Sequence, residues 1–124
     1  MCQKQGDLNM IQSIGVDIVE NDRFSSFLDC ERKLKKILSS AELNTYSKIS
    51  LNKRKLEYLA SRFAAKEALY KAGLRDTFTD VSILNNDDGS PYVVCSEDLD
   101  IKISISHNNS MSIAMVIINS KRQE

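Results

Sequence analysis

From Arg62 to Gly73 the chain reads RFAAKEALYKAG, and from Gly15 to Glu20 it reads GVDIVE. The first segment has the spacing of a helix that is apolar and small on one side and carries Lys66, Glu67 and Lys71 away from it. The second is a short apolar strand interrupted by one carboxylate, Asp17. An unpaired charge inside such a run is costly to bury, so something must compensate Asp17. A divalent cation shared with Glu67 is one solution. Capping, or pairing with Arg62 or Lys66, is another.

The rest of the pattern predicts one α+β domain, with a small mostly antiparallel sheet packed on one long and one or two shorter helices. The chain has 124 residues, enough for a modest core, and its 6% of aromatics leaves that core to aliphatic side chains. Residues 1–9 are polar and unpatterned, an expected extension ahead of a single domain over residues 10–124. Ser13–Val19 is a strand rich in β-branched residues. Phe24, Phe27, Leu28, Leu34, Ile37 and Leu38 predict one amphipathic helix over Arg23–Leu38, with Arg32, Lys33, Lys35 and Lys36 outward. Ser39 with Glu42 forms a capping-box signature for a short helix through about Tyr46. A long helix is expected over Asn52–Ala72, ended by Gly73. Asn85–Pro91 (NNDDGSP) is a dense turn signal between strands at Val81–Leu84 and Tyr92–Cys95, hence a hairpin. Ile101–Ser106 alternates, and Met111–Ile118 is so continuously apolar that it predicts a central strand covered on both faces.

Seventeen basic and seventeen acidic residues cancel, so net charge points to neither nucleic acid nor a membrane. The distribution is uneven: seven basic residues lie between Lys48 and Lys71 against Glu57 and Glu67, while Asp76–Asp100 holds seven acidic residues and no basic one. Cys2, Cys30 and Cys95 are odd in number and lack CxxC spacing, which argues against disulfides and zinc and for a reducing, cytoplasmic setting. No P-loop, GxGxxG, nucleophile elbow or HExxH is present.

Glu67 and Lys71, four apart, share a helix face with Phe63 one turn earlier, and the pair alone is an ordinary helix-stabilising contact. Asp17 changes its meaning. Two carboxylates from different elements are the hard oxygen ligands Mg²⁺ takes, usually completed by substrate phosphates, and Lys71 could then reach a phosphate oxygen. His107, the single histidine, ends an alternating strand; it is either a surface residue or a group able to bond or move a proton near phosphate. Asp87–Tyr92 (DDGSPY) is first a turn, and its glycine could also let backbone approach a ligand closely.

Taken in order, GVDIVENDRF, SSAEL, RFAAKEALYKA, DDGSPYV and ISISH resemble the holo-acyl-carrier-protein synthases, the small bacterial-type 4′-phosphopantetheinyl transferases. The resemblance spans Met10–Ile118, and Met10 falls where the family's start usually lies. It implies Mg²⁺-dependent transfer of 4′-phosphopantetheine from coenzyme A to a serine of acyl carrier protein in fatty acid biosynthesis, with adenosine 3′,5′-bisphosphate leaving. It also implies a homotrimer with sites between subunits. Carried over by position, Asp17 and Glu67 hold the metal and Lys71 neutralises phosphate charge. Glu67 is the base for the carrier serine, directly or through a water on the metal. Arg62, Lys71, Gly89, Pro91 and His107 meet coenzyme A. Arg23, with Arg32 and Lys36 of the adjacent basic helix, meets the acidic carrier helix. The chain departs from the family in three places: KAGLRD is shorter than the usual glycine-rich loop after the long helix, Met111 replaces a common tyrosine, and Tyr70 stands where a smaller residue is usual. The shortened loop motivates a rival expectation, a non-catalytic module that engages an acidic carrier; a metal-dependent nucleotide pyrophosphate hydrolase is a third.

Overall fold

The computed structural model describes residues 11–119; the expected extension over residues 1–9 lies outside them. Five strands and three α-helices follow in the order β1 (Ile11–Glu20), a 3₁₀ turn (Asn21–Phe27), α1 (Glu31–Ile37), α2 (Ser40–Tyr46), α3 (Asn52–Lys71), a second 3₁₀ turn (Phe78–Asp80), β2 (Ser82–Asn85), β3 (Pro91–Val94), β4 (Asp100–His107) and β5 (Met111–Asn119). The expected α+β class is what forms. β5 is central in an antiparallel sheet of order β1-β5-β4, and β2 with β3 makes a separate hairpin.

α3 lies across β1 and β5. Its inner stripe of Leu59, Ala60, Ala64, Ala65, Ala68 and Leu69 is wholly buried against Val19, Ala114, Val116 and Ile118. Small residues let helix and strand approach closely, and Gly15 takes this to its limit. A Cβ there would stand 2.0 Å from the Ala68 carbonyl oxygen and 3.2 Å from the Ala72 nitrogen. Since side chains alternate along a strand, the face that carries Gly15 and Val19 also carries Asp17, which is thereby set beside the last turns of α3. Gly73 then stops the helix at φ +111°, a backbone state that suits glycine.

Two expectations about the extent and covering of elements need correction. The run Arg23–Leu38 is not one helix but a 3₁₀ turn and α1. Phe24 is buried and its ring lies 5.2 Å from that of Phe63 on α3, so the first part of the run is held by long-range packing. Cys30 then adopts an extended backbone (φ −107°, ψ 94°) and separates the two parts. β5 is central as expected but is covered on one face. Ser112, Ala114, Val116 and Ile118 point inward, while Ile113 and Met115, with Ile14, Val16 and Ile18 of β1, are exposed. Register places Val16 opposite Met115 and Ile18 opposite Ile113, so these residues form one contiguous apolar patch.

The capping box at α2 is present as expected: Ser39 Oγ accepts from the Glu42 amide, and the Glu42 carboxylate accepts from the Ser39 amide at 2.9 Å. Glu42 also has a second task. It forms a buried ion pair with Lys66, whose ammonium donates to the carbonyls of Ile37 and Phe78 as well, both at 2.8 Å. Lys66, expected on the outward side of α3, is therefore inside the protein, and its burial pushes its pKa down while Glu42 opposes that. No helix among the described residues is long and apolar enough to cross a membrane.

Candidate functional site

The residues singled out in the sequence gather in two places along α3. The first is where β1 meets the end of the helix. Lys71 Nζ donates to Asp17 Oδ1 at 3.0 Å and to the Val16 carbonyl at 3.2 Å. The Asp17 side chain is 16% exposed and that of Lys71 54%, so solvent reaches this pair. The compensation Asp17 requires is thus Lys71, rather than Arg62 or Lys66. Glu67 lies one turn earlier on the same face of the helix, half-buried, without a hydrogen-bond or ion-pair partner among the described residues. The expected Glu67–Lys71 helix pair does not form, because Lys71 is drawn to the strand instead.

This donor set fits a hard divalent cation. It offers two carboxylates and no thiolate or imidazole, and one carboxylate is unpartnered. No cluster of three or more His, Cys, Asp or Glu that could hold a metal occurs among the described residues. A cation held here would draw its other ligands from substrate or water, as Mg²⁺ does.

The second place is a cleft of about 290 Å³ between the first half of α3 and the β2–β3 hairpin. Arg62, Gly89, Pro91 and His107 all line it; Lys71, assigned with them from the resemblance, stands with Asp17 instead. Gly89 sits in the hairpin turn at φ +91°. The turn is closed by the Ser90 amide and hydroxyl donating to Asp88, which holds that carboxylate below its usual pKa.

Arg62 is the buried cation of the cleft. It is 8% exposed, yet its partners are neutral: its guanidinium donates to the Ile83 carbonyl at 3.2 Å, Asn85 Oδ1 at 3.0 Å and Ser61 Oγ at 3.4 Å. Its carbon centre lies 4.2 Å from the Tyr58 ring centroid, and its Nε is buried without a partner. A buried cation lacking a carboxylate is unfavourable unless an anion arrives. Burial pushes the Tyr58 hydroxyl up, and the neighbouring Arg62 charge partly offsets that.

His107, 45% exposed, faces Glu57 with Nδ1 3.9 Å from Oε2. Glu57 is buried and also meets Lys53 at 3.5 Å and Arg54 at 3.9 Å. The turn after His107 is pinned by Asn21, which donates to the Asn108 carbonyl at 3.0 Å and accepts from Ser112. Glu57 and Tyr58 were not singled out in the sequence. Their spacings to Lys53 and Arg62, four residues each, were the available signal, but such pairs are common on helices.

Arg23 is exposed on the 3₁₀ turn, its guanidinium 4.9 Å from the centroid of the Phe63 ring. Arg32 and Lys36 are exposed on α1 nearby in sequence, whereas Lys33 is tied to Ser26 and Lys35 to Glu31.

A sequence model of the 4′-phosphopantetheinyl transferase superfamily matches residues 13–118. The chain belongs to that superfamily. Among phosphopantetheinyl transferases, it is 44% identical over 118 residues to the holo-[acyl-carrier-protein] synthase of Acholeplasma laidlawii, covering 90% of this chain and 99% of that one. It is 38% identical to the enzyme of that name from Bacillus subtilis, over 88% of this chain and 96% of the other. The crystal structure of a holo-(acyl-carrier-protein) synthase from Bacillus anthracis in complex with CoA (3′,5′-ADP) superposes with a TM-score of 0.83, at 35% identity, covering 90% of this chain and 99% of that chain. For this superfamily member both places on α3 lie inside the matched span.

Proposed function

We propose that the chain is a Mg²⁺-dependent holo-acyl-carrier-protein synthase. In this reading it moves 4′-phosphopantetheine from coenzyme A to a serine of apo acyl carrier protein, in the cytoplasm and in service of fatty acid synthesis. The observation that carries the reading is the division of labour along α3. A buried arginine without a counter-ion lines a cleft suited to the anionic nucleotide end of coenzyme A, and a carboxylate pair with a lysine offers the chemistry of phosphoryl transfer.

The serine oxygen attacks the phosphorus that bears pantetheine. The bond from that phosphorus to the bridging oxygen breaks, and adenosine 3′,5′-bisphosphate departs with the electron pair. Glu67, unpartnered and half-exposed, accepts the serine proton. Lys71, already beside Asp17, turns its ammonium to the phosphate oxygens as negative charge redistributes toward the leaving group. Asp17 and Glu67 would hold Mg²⁺, which when bound neutralises pyrophosphate charge. Arg62, Gly89, Pro91 and His107 bind and orient coenzyme A. Arg23, Arg32 and Lys36 receive the acidic carrier helix, raising the encounter rate at low salt.

Arg62 and Glu67 are five residues apart, about 7.5 Å along the helix axis and roughly 140° around it. That angle favours sites completed between copies, and the patch of Ile14, Val16, Ile18, Ile113 and Met115 supplies an apolar face to bury in a homotrimer. Sedimentation at micromolar protein should then give three chains per particle.

The direct test is mass spectrometry of apo carrier protein incubated with the protein, coenzyme A and Mg²⁺. One phosphopantetheine should be added per carrier. Carrier binding without that mass gain would favour the non-catalytic module, and release of adenosine bisphosphate without carrier would favour the hydrolase.

A further inference from the structure

Arg62 and Lys66 are both buried cations and lie one turn apart on the same face of α3. The acids buried among the described residues are Glu42 and Glu57, and Glu57 is turned toward Lys53, Arg54 and His107. That leaves Glu42 as the one other buried acid for two buried cations among the described residues, and it is committed to Lys66. Glu42 Oε1 accepts from Lys66 and from the Ser39 amide, and Oε2 accepts from the Ile83 amide at 2.7 Å. The carbonyl of that same Ile83 accepts from Arg62. The carboxylate and the guanidinium thus sit at the two polar ends of one backbone residue, yet the ion pair goes to Lys66.

We infer that Lys66 acts as a positioning residue for binding: by occupying Glu42 it keeps the charge of Arg62 free for the anionic end of the substrate. Without Lys66 the field of Glu42 falls on Arg62 in a low-dielectric interior, and the cleft loses attraction for phosphate. Without the Glu42 charge the reverse holds. The two partners of one ion pair should therefore affect binding with opposite sign, although removing either weakens the fold. A purely structural pair would act with the same sign in both.

The inference rests on the cleft holding coenzyme A. The test is calorimetric binding of coenzyme A and of adenosine 3′,5′-bisphosphate to the full chain, with KM and kcat measured alongside. Lys66→Met should weaken both ligands about tenfold or more and raise KM for coenzyme A, with kcat within about twofold. Glu42→Gln should bind at least as tightly as the unaltered protein despite a lower melting temperature. The double variant, which restores the charge balance, should return to within about threefold of the unaltered affinity. Weakening in both single variants, or an unchanged affinity in Lys66→Met, overturns the inference and leaves the assignment of the cleft intact. Should Lys66→Met fail to fold, weaker binding by Glu42→Gln alone overturns it. Absence of coenzyme A binding to the unaltered protein removes the assignment and the inference together.

Discussion

α3 carries two lysines that pair with carboxylates from elsewhere in the chain, and their surroundings differ in every respect but that. Lys66 and Glu42 are sealed, with 1% and 0% of their side chains exposed, and each ammonium hydrogen and carboxylate oxygen is matched. Lys71 and Asp17 are open to solvent, and next to them Glu67 has no partner. A closed pair locks α1, α2, β2 and the second 3₁₀ turn into one arrangement. An open pair with a spare carboxylate can exchange its partners for a ligand. A lysine and a carboxylate thus make a closed structural tie in one turn of the helix and an open, exchangeable one in the next, according to what surrounds them.

Truncating each lysine should separate the pairs most widely. Lys66→Ala leaves Glu42 buried and uncompensated and should cost about 3–5 kcal/mol of stability in urea unfolding. Lys71→Ala should cost less than about 1 kcal/mol, because its pair is solvated. Equal losses would mean that the two environments do not differ as described. Glu67→Gln should lower kcat by about 10²–10⁴-fold with an unchanged melting temperature, the inverse of what Lys66→Ala does. Chelation with EDTA should abolish transfer while hardly moving the melting temperature, since Lys71 already answers the charge of Asp17; a large fall would instead give the open pair a structural cation. Gly15→Ala should cost about 1–3 kcal/mol and lower activity together, as its methyl group must push β1, and Asp17 with it, off α3.

The smallest effect concerns the closed side of the helix. Tyr58 donates to the Glu42 carbonyl, and burial pushes its hydroxyl above the usual value of 10.0. The folded protein therefore keeps this proton where the unfolded chain has lost it. The contribution is complete below about pH 10 and is lost as pH rises through the folded value. Urea midpoints between pH 9 and pH 12 should fall more gently in Tyr58→Phe than in the unaltered protein.

What the sequence discloses divides along similar lines. Features written in a few consecutive residues are legible: the Ser39–Glu42 cap, the Gly73 stop, the turn around Gly89, and the strand that puts Asp17 among apolar neighbours. Features that depend on what arrives from far along the chain are not. Lys66 looks like any surface lysine until α2 and the second 3₁₀ turn close over it. The apolar run of β5 reads the same whether one face is covered or two, and only the placement of α3 tells which. The split after Phe27 is hidden because Phe24, Phe27, Leu34 and Ile37 keep helical spacing across it. Arg62, Gly89, Pro91 and His107 line one cleft from three separate elements, and nothing local announced that Glu57 and Tyr58 would stand with them.

Along β1 the outward Ile14, Val16 and Ile18 alternate with the inward Gly15 and Asp17. Five adjacent codons therefore encode an apolar outer face and an inner one that carries Asp17 in strict interleaf, and a single-residue insertion or deletion would swap the two sets. Replacements in this stretch must suit two opposite faces at once, so an inserted residue is tolerated there far less readily than a substitution.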